Sequence, residues 1–363
     1  MPRLSQQLLK SIQLTGASGF IGGHIARLLL DKGYHVRALA RPHSITSLRN
    51  AFKGSTFDVV EISDLCGELH QSIFEGVFGV VHVASPLPAR ASFDIMLKVS
   101  IDGSLNILRR AYAAGVRKFV YTSSSGAAWH GGVGPCITGE DWNPITVEEA
   151  RESGDEVVQY TATKTLAEKA VWKFVEDHRD FDMDVTTILP PLVYGPLTVE
   201  QTETLSKKAP DYNALSTDLF VYNLLAPNGV FPPHPRFIAV GDLAELHVRA
   251  LESRPSTYGR KRLVIAAPDA VDFEECLTLI QNRWPKLEQR LNRRALPVYE
   301  DQIMKLEFDY QRTEEVTGLR KSEFQCAQKT LMDTVTSLLS VENSWKLNGH
   351  DVIEIPPPFE REF

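Results

Sequence analysis

Tyr160 and Lys164 form the pair of side chains in this sequence best suited to acid–base chemistry. Residues four positions apart on a helix lie on the same face, and of the ten tyrosines only Tyr160 has a lysine four positions further on. An ammonium close to a phenol favours the phenolate, so we expect Lys164 to lower the pKa of Tyr160. Such a phenol can protonate a carbonyl oxygen or accept the proton of an alcohol. On its own, the same spacing is also typical of a surface tyrosine packed against a lysine stem.

A run of three hydroxyl side chains could assist this chemistry. Ser123, Ser124 and Ser125 directly follow an apolar segment that reads as a strand. A hydroxyl at the carboxyl end of a strand can hydrogen-bond to a reacting oxygen and share its developing charge. Because the three serines are adjacent, spacing alone does not choose among them, and a serine turn that ends the strand is the simpler interpretation.

A glycine-rich turn lies near the amino end of the chain, in the segment Leu14-Thr-Gly-Ala-Ser-Gly-Phe-Ile-Gly22. It follows an apolar strand and opens a helix, and this order is typical of a turn that binds a dinucleotide pyrophosphate at the helix N-terminus. The alternative is a tight turn without a ligand, as any α/β protein contains. The predicted cofactor contacts at this turn are Gly16, Ser18, Gly19, Phe20, Ile21 and Gly22.

The end of the second predicted strand indicates which dinucleotide is bound. Enzymes that prefer NAD usually carry an acidic residue there for the ribose 2′-hydroxyl, but this chain has Ala40, flanked by Arg37 and Arg41. A guanidinium suits a 2′-phosphate, so NADP(H) is predicted, with Arg41 favoured over Arg37. Two solvated arginines are the alternative. Asp64 and Leu65 follow the third strand, where an adenine would lie, although an ordinary loop aspartate fits equally well.

Strands and helices must alternate to position these residues. Residues 11–14, 34–40, 57–62, 77–84, 118–122 and 183–189 read as strands, and residues 20–30, 92–114 and 157–175 read as helices. This alternation predicts an α/β fold, a doubly wound parallel sheet of the Rossmann type. A smaller, less regular substrate-binding part is expected in the C-terminal half.

The predicted division assigns residues 10–190 to an NADP-binding domain. Residues 191–235 and 252–363 form the substrate-binding part. Residues 236–251 return to the sheet domain as a strand at 237–240, followed by a helix with Asp242 at its N-cap.

Composition narrows the class of protein. The 363 residues are 43% hydrophobic and 23% charged, and the net charge of −7 argues against a nucleic-acid partner. The four cysteines lie far apart with no histidine at ligand spacing, so reduced thiols and no metal site are expected. No apolar run is long enough to span a membrane and no secretory leader is recognised, which predicts a cytoplasmic protein. The sequence makes no prediction of the oligomeric state.

Several motifs together resemble the extended short-chain dehydrogenase/reductases. They are Thr15-Gly-Ala-Ser-Gly-Phe-Ile-Gly22, His82-Val-Ala-Ser-Pro86, Thr122-Ser-Ser124 and Tyr160-Thr-Ala-Thr-Lys164. Within this family the chain is similar to the dihydroflavonol reductase and cinnamoyl-CoA reductase group, above all to its fungal aldehyde and ketone reductases. The likeness covers about residues 10 to 270 and is weak beyond.

The resemblance implies a role for each matching residue. Ser124 corresponds to the family's catalytic serine, Tyr160 to its proton donor, and Lys164 to the lysine that binds the nicotinamide ribose and lowers the tyrosine pKa. Arg41 matches the arginine for the 2′-phosphate. The cofactor contacts it implies further along the chain are Val83, Ala84, Ser85, Pro190, Leu192 and Val193. The chain departs from the family pattern at Thr163, usually serine, and at Ser125, more often alanine.

The implied reaction is NADPH-dependent reduction of an aldehyde or ketone to an alcohol, with a small-molecule carbonyl as substrate. An apolar or aromatic substrate is expected from the candidate pocket residues, namely Pro86, Leu87, Trp129, His130, Leu192, Tyr194, Phe220 and Tyr222. Two alternatives stay open. One is a sugar-nucleotide epimerase or dehydratase, or a hydroxysteroid dehydrogenase, of the same fold; the other is a module that senses NADP(H) without turnover.

Overall fold

The computed structural model describes residues 10–87, 91–178, 182–254, 259–352 and 354–358. The remaining residues, which include 255–258 and 359–363 of the predicted substrate-binding part and the first nine of the chain, lie outside the described residues. How the chain divides into domains, and its cytoplasmic location, stay predictions.

A seven-stranded parallel sheet forms the centre of the molecule, with the strand order β10-β7-β5-β4-β1-β2-β3. This order and the helices between the strands confirm the predicted doubly wound Rossmann fold. The strands in chain order are β1 (Ser11–Thr15), β2 (His35–Ala40), β3 (Phe57–Glu61), β4 (Val77–His82), β5 (Lys118–Thr122), β6 (Cys136–Ile137), β7 (Asp184–Leu189), β8 (Leu192–Tyr194), β9 (Phe237–Ala239), β10 (Lys261–Val264) and β11 (Glu307–Phe308).

The helices cover both faces of this sheet, which is why its central strands are almost entirely buried. The helices are α1 (Phe20–Asp31), α2 (Pro42–Ala51), α3 (Phe93–Lys98), α4 (Ser104–Ala113), α5 (Val147–Ser153), α6 (Glu156–Asp177), α7 (Val199–Ser206), α8 (Asp218–Asn223), α9 (Val240–Glu252), α10 (Phe273–Arg283), α11 (Asp301–Met304), α12 (Tyr310–Thr317) and α13 (Ala327–Leu347). A π-helical turn, Val99–Gly103, joins α3 to α4, so the predicted helix over 92–114 is one interrupted element.

Residues 237–252 form a strand and a helix, as predicted, and α9 packs against α1, β5 and β7, but two details of the prediction differ. Strand β9 does not enter the main sheet, because it pairs with β8 in a separate two-stranded sheet. Helix α9 begins at Val240, with Ala239 at the N-cap position, so the assignment of Asp242 as the N-cap was wrong. The carboxylate of Asp242 instead accepts the N–H of Gln325 at 2.7 Å.

Two elements of the main fold were missed in the sequence. Helix α2 carries Pro42 in its first turn, which is a recognised start signal. Strand β10 pairs with β7 and adds the seventh strand to the sheet. It is a short segment, buried along its whole length although it begins with Lys261 and Arg262, so its charged residues hide the apolar pattern of a strand.

The C-terminal half adds two small sheets and helices at the carboxyl ends of the strands. One small sheet pairs β8 with β9, the other pairs β6 with β11, and α13 packs against α7, α8 and α10. Within the described ranges, no helix is long and apolar enough to cross a membrane. The same residues contain no group of three or more histidine, cysteine or acidic side chains that could hold a metal ion, and all four cysteines are unpaired.

Candidate active site

The glycine turn between β1 and α1 owes its shape to close backbone packing. Gly16 has a φ of 77°, and a Cβ there would lie 2.9 Å from the backbone nitrogen of Ala84. A Cβ on Gly22 would overlap the carbonyl oxygen of Gly16. A Cβ on Gly19 would meet nothing closer than 3.4 Å, so the turn is open at this position, beside the N-terminus of α1. The N–H groups of the first helical turn have no acceptors within the helix and are available to an anion.

A buried histidine connects this turn to the end of β4. The hydroxyl oxygen of Thr15 accepts the N–H groups of Val83 and Ala84, each at 3.1 Å. It also lies 2.7 Å from Nδ1 of His82, whose Nε2 is 3.1 Å from Oγ of Ser104. Burial, together with the charge of Lys164, lowers the pKa of His82 to about 3, so the imidazole is neutral. The turn at Val83 is therefore fixed to the residue that precedes Gly16.

Helix α7 covers the other side of the glycine turn through a residue that sequence reasoning missed. The amide nitrogen of Gln201 donates to the carbonyl oxygens of Gly19 and Phe20, both at 3.0 Å. Gln201 also closes a capping box with Thr198 at the start of α7, and this four-residue pattern was its only signal in the sequence. Ser18 and Phe20 border a second cavity of about 270 Å³ between α1, α2 and α7.

The structure separates the two arginines proposed for a 2′-phosphate. Arg41 is exposed where β2 passes into α2, and within the described residues its side chain has no hydrogen bond or ion pair. Arg37 lies within β2, and its Nη1 donates to the carbonyl oxygens of Ile73 and Glu75 at 2.8 and 3.2 Å. These carbonyls precede β4, at the amino end of the sheet, so the Arg37 guanidinium is already engaged away from the carboxyl edge.

Asp64 and Leu65 lie in the loop after β3, as predicted. One carboxylate oxygen of Asp64 accepts the N–H groups of Cys66 and Gly67 at 2.6 and 2.7 Å. The carbonyl oxygen of Leu65 accepts the side-chain amide of Asn106 at 2.8 Å. Both residues therefore shape the loop, and Asp64 retains an exposed carboxylate oxygen for a ligand.

The structure distinguishes the three adjacent serines. Ser123 is buried and donates its hydroxyl to Glu168 at 2.8 Å. The N–H of Ser125 donates to the carbonyl of Pro190 at 2.9 Å, which turns the chain at that point. Ser124 borders the large cavity described below, and its oxygen accepts the N–H of Gly126 at 3.3 Å. The hydroxyl hydrogen of Ser124 can therefore be donated to a ligand.

Tyr160 and Lys164 face this cavity from α6, but the prediction that the pKa of Tyr160 is lowered was wrong. Burial raises the pKa of Tyr160 instead of lowering it. The Lys164 ammonium donates to the carbonyl oxygen of Thr122 at 3.1 Å and lies 5.8 Å from the centre of the Tyr160 ring. Burial also lowers the pKa of Lys164 to about 8, while the charge of Glu168 acts in the opposite direction.

A fully buried ion pair lies one helical turn below Lys164. The Glu168 carboxylate accepts Nε of Arg262 at 2.9 Å and the hydroxyl of Thr187 at 2.6 Å, in addition to Ser123. The guanidinium of Arg262 stacks on Trp142 at 3.7 Å. It also donates to three carbonyl oxygens of the chain that follows Ser124, those of Ala127, Gly139 and Asp141. One charge pair thus ties α6 to β5, β7, β10 and this loop.

A cavity of about 330 Å³ opens above the carboxyl ends of β4, β5 and β7. It brings together twelve of the residues predicted for cofactor, catalysis or substrate: Ile21, Val83, Ser85, Leu87, Ser124, Trp129, Tyr160, Lys164, Pro190, Leu192, Val193 and Phe220. The C-terminal half contributes walls that the sequence did not reveal, including Ser216, Thr217, His234, Arg236, Ile303, Leu306 and Phe308.

Four predicted pocket residues do not border this cavity. Tyr222 is fully buried and donates its hydroxyl to Glu342 at 2.5 Å, and Tyr194 is buried against Phe237. His130 accepts the N–H of Gly132 at 3.1 Å and shapes its own loop. Pro86 is also absent from the lining, although its neighbours Ser85 and Leu87 belong to it. Their expected position between the sheet edge and the second half of the chain had placed all four in the pocket, whereas at least the two tyrosines belong to the protein core.

The fold and this site define the class of the protein. The resemblance to the extended short-chain dehydrogenase/reductases is confirmed, because the chain belongs to the NAD dependent epimerase/dehydratase family, whose model matches residues 12–266.

Particular relatives include fungal reductases. Ketoreductase adrE of Penicillium rubens is 29% identical over 269 residues, which cover 71% of this chain and 76% of that protein. Aldehyde reductase 2 of Sporidiobolus salmonicolor is 28% identical over 254 residues, or 66% of this chain and 72% of that protein. The crystal structure of yeast methylglyoxal/isovaleraldehyde reductase Gre2 complexed with NADPH is 25% identical and superimposes with a TM-score of 0.77, covering 92% of this chain and 99% of that one.

The packing of the glycine turn predicts the effect of a single methyl group. Gly22→Ala should lower the free energy of unfolding by about 1–3 kcal/mol, because its Cβ overlaps the Gly16 carbonyl and the backbone must shift. Gly241→Ala is the matched control, since a Cβ there meets nothing within 4 Å, and it should raise stability by up to about 1 kcal/mol. Urea denaturation followed by circular dichroism measures both, and equal stability of the two variants would contradict the packing.

Breaking the buried ion pair should cost more stability than the change in the glycine turn. Arg262→Met should lower the free energy of unfolding by about 3–5 kcal/mol, because it leaves the Glu168 charge buried without its partner. Arg117→Met removes one partner of an exposed pair with Asp182, 67% and 70% exposed, and should change stability by less than about 1 kcal/mol. Thermal and urea unfolding of the two variants measures this difference. Similar losses of stability in both would contradict a larger contribution from the buried pair.

Proposed function

We propose that this protein is an NADPH-dependent oxidoreductase that reduces an aldehyde or ketone carbonyl to an alcohol. The observation that carries the proposal is the convergence of Ser124, Tyr160 and Lys164 on one cavity that also reaches Ile21 at the glycine turn. The fungal relatives are named as a ketoreductase and an aldehyde reductase, and Gre2 was crystallised with NADPH, which supports the same reaction here.

The residues present fit NADPH. The turn is open at Gly19, where a pyrophosphate can approach the N-terminus of α1. Arg41 offers a guanidinium that has no partner among the described residues at the end of β2, and Ala40 leaves no carboxylate there to repel a 2′-phosphate. Arg37 is left out because its guanidinium is engaged by backbone carbonyls. The proposed contacts are Gly16, Ser18, Gly19, Phe20, Ile21, Gly22, Arg41, Asp64, Leu65, Val83, Ala84, Ser85, Tyr160, Lys164, Pro190, Leu192 and Val193.

The cofactor, when bound, supplies a hydride to the carbonyl carbon. Tyr160 donates its proton to the carbonyl oxygen, and the raised pKa keeps this proton on the phenol at neutral pH until the oxygen becomes basic. Ser124 donates its free hydroxyl hydrogen to the same oxygen and orients it. Lys164, whose ammonium donates to the carbonyl of Thr122, would hydrogen-bond to the nicotinamide ribose.

The alternatives fit less well. The family includes epimerases and dehydratases, but an enzyme that retains NAD would favour a carboxylate at the end of β2, where this chain has Ala40 followed by Arg41. A module that only senses the cofactor has no need for the proposed proton donor, the orienting serine and the lysine to face one cavity. A hydroxysteroid dehydrogenase would use the same catalytic groups, so only an assay of substrates distinguishes it from the proposed reductase.

Loss of the proton donor should abolish the reaction. Tyr160→Phe is expected to lower kcat with NADPH and a carbonyl substrate by at least about a hundredfold, the contribution of a well-placed general acid. NADPH binding, followed by fluorescence titration, should persist because the ring is retained.

Tyr34→Phe is the matched control for this variant. Tyr34 donates its hydroxyl to Glu252 at 2.7 Å, beyond the C-terminus of α1, and its loss should leave turnover intact. Undiminished turnover by Tyr160→Phe would overturn the assignment of the acid.

The charge at Arg41 should set the cofactor preference. Arg41→Ala is expected to raise the KM for NADPH at least about tenfold and to leave the KM for NADH within about twofold, because only NADPH carries the 2′-phosphate. Arg37→Ala is the comparison, since this guanidinium binds Ile73 and Glu75, and it should not change the ratio of the two KM values. Steady-state kinetics with both cofactors measures the ratio, and a parallel change in both KM values would remove Arg41 from the 2′-phosphate site.

A further inference from the structure

The active-site cavity contains a cationic side chain that the reduction of a simple carbonyl does not require. Arg236 directly precedes β9, is only 4% exposed and borders the cavity. Its Nη2 donates to the carbonyl oxygens of Ala267 and Pro268 at 3.1 and 3.5 Å. Its Nε has no hydrogen-bond partner, and none of the ion pairs of the described residues includes this guanidinium.

The charges of Asp269 and Glu307 favour the charged form of Arg236, but among the described residues neither carboxylate forms an ion pair with it. Asp269 accepts the N–H of Ala327 at 2.8 Å, and Glu307 pairs with Lys321 at 3.1 Å. The ring of Phe308 lies 5.0 Å from the guanidinium and offers only a weak cation–π contact. A guanidinium buried without a counter-ion is unfavourable, so an anion in the cavity would offset the desolvation of Arg236.

A second unused polar group accompanies Arg236. His234 borders the same cavity, and its Nδ1 is buried with no hydrogen-bond partner among the described residues. Burial lowers the pKa of His234 to about 4, helped by the charge of Arg236 and opposed by a hydrogen bond to the Arg236 backbone. Near neutral pH the imidazole is therefore uncharged. Residues 234 and 236 thus bring one cation and one neutral imidazole to the same wall.

We propose that Arg236 and His234 form an anion-binding subsite, and that the carbonyl substrate carries a carboxylate remote from its reacting carbonyl. This inference rests on the proposed reductase function and specifies its substrate class as an oxo acid with an apolar body. The planar fork of a guanidinium matches a carboxylate in charge and shape. A single cation is a better match for a carboxylate than for a dianionic phosphate. The apolar side chains of Trp129, Phe220 and Leu306 suit the body of the substrate.

Matched substrates test the subsite in the wild-type protein. The kcat/KM with NADPH is measured for 4-oxo-4-phenylbutanoate, 5-oxohexanoate and 6-oxoheptanoate, each beside its methyl ester. At least one acid should exceed its own ester by about tenfold or more, because the ester keeps the shape and loses the charge. The matched phosphonate, 3-oxo-3-phenylpropylphosphonate, should be reduced less efficiently than its carboxylate.

Each outcome separates the subsite from the proposed function. Acids that are no better than their esters, while isovaleraldehyde is reduced, overturn the subsite alone. A phosphonate that exceeds every acid overturns the assignment to carboxylates. No turnover of any of these carbonyls with NADPH overturns the reductase function itself.

Variants of Arg236 and His234 test whether these two residues select the acid over its ester. Arg236→Gln should lower the acid-to-ester ratio of kcat/KM about tenfold or more, and Arg236→Lys should retain part of it. His234→Leu should lower the ratio several-fold and provides a second test if Arg236→Gln fails to fold. Arg249→Gln, which removes a partner of Glu245 on α9, should leave the ratio unchanged. A folded Arg236→Gln protein with an unchanged ratio would overturn the role of Arg236.

Discussion

The buried pair of Glu168 and Arg262 is the interaction on which the geometry of the active site depends. Both side chains are fully excluded from solvent, and together they contact three strands of the sheet, helix α6 and the loop after Ser124. Such a pair adds little net stability compared with apolar packing, because desolvation offsets most of the attraction. The pair acts on position: Glu168 fixes the rotation of α6. It thereby directs Lys164, one turn earlier, and Tyr160, two turns earlier, toward the cavity.

The position of Glu168 also explains why the adjacent serines make different contacts. Glu168 accepts the hydroxyl of Ser123, and this bond holds the end of β5 against α6. The following residue, Ser124, must then point to the opposite side of the extended chain, toward the cavity. The charge of Glu168 also favours the protonated form of Lys164, so a structural ion pair influences the electrostatics of a proposed catalytic group.

The sequence predicted what depends on local pattern and missed what depends on burial. Most strands and their parallel arrangement follow from the periodicity of the sequence. The glycine turn follows from the steric demands of Gly16 and Gly22. The sign of the Tyr160 pKa shift could not be obtained this way, since the spacing to Lys164 is visible in the sequence and the desolvation of the phenol is not. Arg236 and His234 lie in a proline-rich stretch without periodicity, and only the packing of β9 beside β8 brings them to the cavity.

The last wall of the cavity comes from far along the chain. Ile303, Leu306 and Phe308 close it from the short segment of α11 and β11, while every proposed catalytic residue lies before position 165. During synthesis, Ser124 at the end of β5 and Tyr160 and Lys164 on α6 therefore emerge well before the segment that closes the cavity. In a nascent chain all seven strands of the main sheet are therefore present while the cavity is still open to water on that side. The order of the residues thus makes closure of the cavity a late event in the synthesis of the protein.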